Sequence, residues 1–381
     1  MMTNCPSCGS RSCKMFYESL RVPIHNNLLA SSRTEAISVS RGDLTLKLCT
    51  SCGLVFNSTF DFSLWRYLSA HEDYSNYMSA LEVFQERLAN RLVERYAFHG
   101  NDIPPISCQS DEILTFVCGL SDHHRDDDRY ISADPVAPSP EGQTTIGVAA
   151  DLAGLPCTMM ALMQVPDPVR FLTLLRRVLA GRGNMRLLLQ VLDFARTLKH
   201  IAFWDIQYGY CSYFAPGTLH RLLSAQGFVV SNVWRDFGGQ VLMVADDNAT
   251  SSHPRAIVET IADLESLVDR FAHECRQKQA LWCEILSRIA GTGKRIAIWG
   301  AGSSAAAFLT TLAVGDEVSY VIDPDPSRHG KYTPGTGHRI VAPDAMLTRG
   351  PDVVIVMNSV LTFEIQELLA EAGRAPTILI A

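Results

Sequence analysis

Four cysteines in two C-x-x-C-G runs are the residues best spaced to do chemistry. Cys5-Pro-Ser-Cys8-Gly and Cys49-Thr-Ser-Cys52-Gly each offer two thiolates from a tight turn, the donor set and spacing that suit tetrahedral Zn²⁺. Four thiolates leave no open coordination position, so such an ion is structural and holds no reactive water. The bland alternative is a pair of small-residue turns that carry cysteines by chance. The stretch between the knuckles is longer than a compact ribbon needs, so a hairpin or loop must fill it. Cys13 is a spare thiol outside the set.

A second constellation is Gly300-Ala301-Gly302-Ser303-Ser304-Ala305, a G-x-G-x-x-A run after an apolar strand and before a helix, with Asp323 about twenty residues on. In that context Gly300 and Gly302 let the backbone approach a pyrophosphate at a helix N-terminus, and Asp323 meets a ribose. Equally, the same turn serves packing alone. Asp126–Asp128 with His123 and His124 reads as a solvated loop ahead of a metal site.

The elements that position these residues follow from length and pattern. With 381 residues, 47% hydrophobic and 19% charged, the chain has the composition of a globular protein of two or three domains. A net charge of -7 without a run of Lys and Arg argues against nucleic acid as partner. The sequence shows no long apolar span and no leader-like N-terminus, so the expectation is a cytoplasmic protein off the membrane, with reduced cysteines and a small-molecule substrate. Oligomeric state is left open.

The spacing predicts a strand at Leu54–Phe56 and a helix over 77–96. Strands follow at Arg129–Asp134, Cys157–Met163 and Met185–Val191, with a helix from Pro168 to Leu179. Such alternation predicts an α/β architecture. Residues 255–290 read as an amphipathic helical connector. Strands at Arg295–Trp299, Val318–Ile322 and Asp352–Met357 predict a second α/β unit. The expected layout is a zinc-binding module at 1–72, a Rossmann-like α/β domain at 73–250, and the connector with a C-terminal Rossmann-like domain at 251–381.

In this order the chain resembles the three-part, zinc-binding C-methyltransferases that act on nucleotide-linked sugars and related small metabolites. The resemblance is carried by the cysteine knuckles, Tyr74-Ser75-Asn76, Val165-Pro166-Asp167-Pro168 and Trp204-Asp205. It continues through Cys211-Ser212-Tyr213-Phe214, Phe237-Gly238-Gly239-Gln240, Asp323-Pro324-Asp325-Pro326 and Gly330–Gly335. It implies a central domain for S-adenosylmethionine (SAM), with Asp134 matching the acid after the second strand. It also implies a C-terminal domain that closes over the substrate, where Lys331 or Arg328 either meets a phosphate or faces solvent.

Two departures bear on function. The glycines of the family's cofactor loop fall on Ser107, Gln109 and Asp111, and its acid falls on Pro105. Side chains there occupy space that methionine and ribose need, which counts against an ordinary SAM pocket. The family's Tyr-Glu-His triplet, which the resemblance gives a general base, aligns with Tyr208-Gly209-Tyr210. Tyrosine titrates near pH 10 and is a poor base.

The leading expectation is therefore an enzyme on a C-methyltransferase scaffold, repurposed to cyclisation, elimination or proton transfer. Its cleft would be lined by Tyr74, Trp204, Tyr208, Tyr210 and Cys211, with Gln240 nearby. Cys211 is either a nucleophile or a packing residue. The alternatives are a working SAM-dependent C-methyltransferase with an atypical loop, with His200 or His220 as replacement base, and a non-catalytic binding protein. A nicotinamide oxidoreductase using the Gly300 loop is a further alternative.

Overall fold

The structure, a computed structural model, describes residues 4–64, 157–159, 161–179, 186–236, 239–246, 259–345, 350–357, 362–371, 373 and 375–381. The expected helix at 77–96, the strand at 129–134, the His123–Asp128 loop, the loop at 103–111, Tyr74 and Asp134 lie outside the described residues. What is described is a mixed α/β protein.

Strand β1 (Cys13–Pro23), helix α1 (Arg33–Ile37), β2 (Arg41–Cys49) and β3 (Val55–Asn57) follow in order. Leu44, Leu46 and Leu48 are all buried and alternate along β2, the period that turns one face of a strand to the core. The expected strand at Leu54–Phe56 starts and ends one residue later. Ser32 caps α1, accepting from the Glu35 amide.

Next come β4 (Cys157–Met159), α2 (Ala161–Gln164), α3 (Pro168–Leu179) and β5 (Arg186–Leu192). The run expected as a strand through Met163 is thus cut short, and its last residues form one helical turn. A continuous apolar run does not distinguish a buried strand from a buried helical turn. Helix α3 starts at Pro168, where the missing amide costs nothing, and Asp167 accepts from the Arg170 amide at 2.8 Å.

The chain continues through α4 (Phe194–His200), a 3₁₀ turn (Phe203–Asp205), β6 (Ser212–Tyr213), α5 (Pro216–Ala225), β7 (Val229–Asp236) and β8 (Gln240–Asp246). Helix α6 (Ile261–Gly291) leads to β9 (Ile296–Trp299), α7 (Ser303–Thr311) and β10 (Val318–Ile322). A second 3₁₀ turn (Pro326–Arg328), β11 (Ile340–Val341), β12 (Val353–Val356), α8 (Thr362–Glu371) and β13 (Thr377–Ile380) complete it.

Three sheets result. The first runs β1-β2-β3-β6, all antiparallel, so a strand from residues 212–213 completes a sheet begun at the N-terminus. The second runs β4-β5-β8-β7, with β4 and β5 parallel and β8 inserted antiparallel between β5 and β7. The third, β11-β10-β9-β12-β13, is parallel throughout. Its central strands β9 and β12 are continuous, fully buried apolar runs, as a parallel sheet requires when both faces are covered.

Helix α6 ties the sheets together. Thr260 and Asp263 form a capping box at its start. Its buried stripe of Leu264, Val268, Phe271, Cys275, Trp282 and Leu286 keeps the helical period. At 31 residues it spans about 46 Å. Phe271 meets Tyr17 of β1 edge-on at 5.7 Å, and Trp282 meets Phe308 of α7 at 5.2 Å.

The long stretch between the cysteine knuckles also reaches the C-terminal part. Ala30 forms a bridge with Tyr332, the Gly335 amide donates to Ala36, and Arg41 donates to the Gly335 carbonyl at 2.7 Å. Gly335 has a φ of +86°, and a Cβ there would lie 2.7 Å from Pro23, so close approach requires glycine.

Candidate functional site

The four knuckle cysteines converge. Their sulfurs all lie within 4.8 Å of one another. Cys5 and Cys52 sulfurs lie 3.6 Å apart, and those of Cys8 and Cys49 3.5 Å. Zn–S bonds of about 2.3 Å place tetrahedral sulfurs about 3.8 Å apart, so the donor set and its size fit zinc. The two turns are built alike. In each, the glycine amide donates to the first cysteine's carbonyl, Gly9 to Cys5 at 2.9 Å and Gly53 to Cys49 at 2.8 Å. Both glycines adopt positive φ. Cys13 stands outside the cluster, its thiol turned to the Ser10 carbonyl.

The second knuckle is docked on later parts of the chain. Arg221 of α5 donates to the Cys52 carbonyl at 3.0 Å and to the Glu259 carbonyl at 2.9 Å, and Thr218 donates to the Gly53 carbonyl at 2.8 Å. Neither residue carried a sequence signal for this role.

The segment from Trp204 to Phe214 lies between the N-terminal sheet and α7. Tyr213 closes it into a loop: its buried hydroxyl donates to the Gln207 carbonyl at 2.7 Å and accepts the Gln207 amide at 3.1 Å. Tyr208 is buried toward the N-terminal sheet, 5.5 Å from the Phe60 ring, and its hydroxyl accepts the Asp61 amide at 2.9 Å. Burial raises its pKa, opposed by that bond. Cys211 is buried beside it, with its thiol donating to the Met163 carbonyl at 3.3 Å. Burial pushes this thiol well above its usual range, which opposes thiolate formation. Tyr210 is partly buried and meets Tyr213 edge-on at 6.0 Å.

Trp204 faces the other way. It packs against Phe203 at 5.0 Å and Phe308 of α7 at 6.1 Å, and the Lys278 ammonium sits 4.4 Å from its ring centroid. Asp205 keeps a little residue surface, but its carboxyl is enclosed, and burial pushes its pKa up to about 6. Its oxygens meet Ser304 at 3.3 Å and Thr197 at 3.4 Å, while Gln207 donates to Ser303 at 2.9 Å. The Gly300 loop is thus the surface on which this segment rests. The two serines were visible in the loop, but their partners in the 203–207 turn were not.

Gly300 adopts a φ of +93°, and a Cβ on Gly300 or Gly302 would meet nothing within 4 Å. Asp323 is only 3% exposed. Its carboxylate accepts the Ala301 amide at 2.6 Å and the Asp325 amide at 2.9 Å, and pairs with Arg328 at 3.4 Å. The group expected at a ribose is therefore turned onto the loop's own amide, and a nucleotide would have to replace these bonds. Lys331 is exposed, next to the Ala30–Tyr332 bridge. Gln240 opens β8, with Leu192 and Asp236 as its backbone partners. His200, in the last turn of α4, and His220 in α5 both have pKa values lowered by burial.

Comparison with known proteins bears on the C-terminal part. Residues 238–380 match the family model described as the C-methyltransferase C-terminal domain. The match supports a relationship to C-methyltransferases. No curated protein matches the chain. Among the described residues no helix is long and apolar enough to cross a membrane.

Proposed function

We propose that this protein is a biosynthetic enzyme acting on a small metabolite, built on the C-methyltransferase plan but catalysing cyclisation, elimination or proton transfer. The observation that most supports this reading is the state of Tyr208. It stands where the related triplet begins, buried with a raised pKa, and its hydroxyl is held by the Asp61 amide. Such a group donates a hydrogen bond to a developing oxyanion and does not remove a proton near neutral pH. Tyr210 and Tyr74 share that role, and Cys211 packs beside Tyr208. Gln240 and Lys331 border the substrate, whereas Trp204, packed on Phe308 of α7, holds the segment from behind. Zinc held by Cys5, Cys8, Cys49 and Cys52 supplies folding energy to the N-terminal sheet. The layout is a zinc module at 1–72, a methyltransferase-like domain at 73–250 and the connector with a Rossmann-like domain at 251–381.

A second reading, a working SAM-dependent C-methyltransferase, is favoured by the match over residues 238–380. Calorimetric titration of the purified protein with SAM and S-adenosylhomocysteine, with NAD as control, separates the two. The repurposed enzyme gives no heat with either methionine cofactor. Micromolar binding of either one retires that reading in favour of methyl transfer.

A further inference from the structure

Cys13 is a fifth thiol at the edge of the four-sulfur cluster, and the sheet register fixes where it stands. It opens β1 directly opposite Cys49, the last residue of β2. The Thr50 amide donates to the Ser12 carbonyl at 2.9 Å, so a ladder bond flanks this pair. The Cys49 amide turns the other way, to the Leu54 carbonyl at 2.8 Å. Cys13 and Cys49 are therefore a non-hydrogen-bonded pair, the closer of the two antiparallel spacings. Such pairs hold their Cα atoms about 4.5 Å apart and send both side chains to one face.

The side chains use that proximity. The Cys13 thiol hydrogen-bonds the Cys49 side chain and lies within the field of Cys8. It thus borders the Cys8–Cys49 side of the cluster. What turns it outward is a contact with the Ser10 carbonyl at 3.6 Å, and a thiol is a weak donor. Cys13 is only partly buried. One step between staggered χ1 rotamers carries a cysteine sulfur about 3 Å, enough to bring Cys13 toward a position that Cys49 has vacated. Cys52 is placed differently: it lies in the turn between β2 and β3, outside the paired strands.

We propose that Cys13 is a reserve ligand of the metal site, its sulfur taking the place of Cys49 on the zinc when that thiolate is lost. This rests on the reading above that the cluster holds zinc. The exchange involves no oxidation: a new Zn–S bond replaces the old one, and the Cys13 proton passes to solvent as the bond forms. A fifth thiol beside four lets the ion change ligands without dropping to three. The same site takes other thiophilic divalent cations, such as Co²⁺ and Cd²⁺.

The test uses the full chain loaded with zinc, as wild type, as Cys49→Ser, and as Cys49→Ser combined with Cys13→Ser. Zinc per chain is read by metal analysis, and zinc affinity by competition with a chelator. In the Co²⁺-substituted proteins, the sulfur-to-metal charge-transfer band counts the thiolates. The expected result is stoichiometric zinc and a four-thiolate Co²⁺ spectrum in Cys49→Ser. The combined variant should bind zinc about 10²- to 10³-fold more weakly than Cys49→Ser, the worth of one thiolate in four. Cys49→Ala, which puts no hydroxyl in the buried position, repeats the test with the same expectation. Loss of zinc from both Cys49 variants overturns the proposal, and so does equal zinc affinity with and without Cys13. A wild-type chain that binds no zinc would instead refute the metal site itself, so the two failures are distinct.

Discussion

Replacing Cys52 with Ser removes one of the four metal thiolates and leaves the backbone turn chemically intact. Cys52 Sγ lies 3.6 Å from Cys5 Sγ, and its carbonyl accepts from Arg221 at 3.0 Å. Structural zinc contributes about 10–16 kcal/mol in small zinc-binding peptides, so one ligand in four carries about 2.5–4 kcal/mol. Whole-domain stabilities are about 5–15 kcal/mol. The loss is therefore large for a small sheet that uses the metal as part of its core. The remaining thiols do not compensate: without metal, burial pushes Cys8 up to about 11, and the cluster holds protons that zinc must displace.

The disorder should travel with the sheet. Because β6 pairs with β3 and Thr218 and Arg221 hold the second knuckle, losing the turn frees residues 212–213 and loosens α5. The expected outcome for Cys52→Ser is loss of stoichiometric zinc by metal analysis. Proteolysis should become fast between the knuckles, and hydrogen exchange faster at residues 212–213. Cys13→Ser, outside the cluster, should keep its zinc. A zinc-free Cys52→Ser protein with wild-type protease resistance and exchange would refute the structural role.

Two further outcomes rest on single contacts. A Cβ on Gly42 would lie 2.4 Å from Tyr208 Cε2, so Gly42→Ala should cost about 1–3 kcal/mol by overpacking; an unchanged denaturation midpoint would place Tyr208 elsewhere. Asp205 binds protons more tightly folded than unfolded, because burial raises its pKa from 3.8 to about 6. Its contribution to stability is thus greatest at low pH and is lost as pH rises from about 4 to about 6. Asp205→Asn should flatten that part of the stability–pH curve measured by urea unfolding, and a curve unchanged over that interval would show that the carboxyl is not buried.

Much of the local structure was legible in the chain. The two knuckles were readable because metal ligation needs fixed residue types at fixed short spacing, and the turn glycines sit where positive φ requires them. The parallel strands at 296–299, 318–322 and 353–356 were readable because a doubly covered strand is a continuous apolar run. Helix α6 was readable from its period, although residues 259–260, expected within it, lie ahead of its capped start. The end of β4 was not, since Cys157–Met163 is apolar throughout and carries no period.

What only the tertiary structure decided is which surfaces meet. Sequence named Tyr208, Cys211 and Trp204 as one group, but the 203–213 loop turns Trp204 toward α7 and Tyr208 with Cys211 toward the N-terminal sheet. It could not show that a two-residue strand from 212–213 completes a sheet begun at residue 13, because backbone pairing leaves no mark on side-chain type. Asp323 was correctly placed at a strand end, yet its carboxylate is spent on the Ala301 amide, a choice set by a distance of 2.6 Å that no spacing encodes.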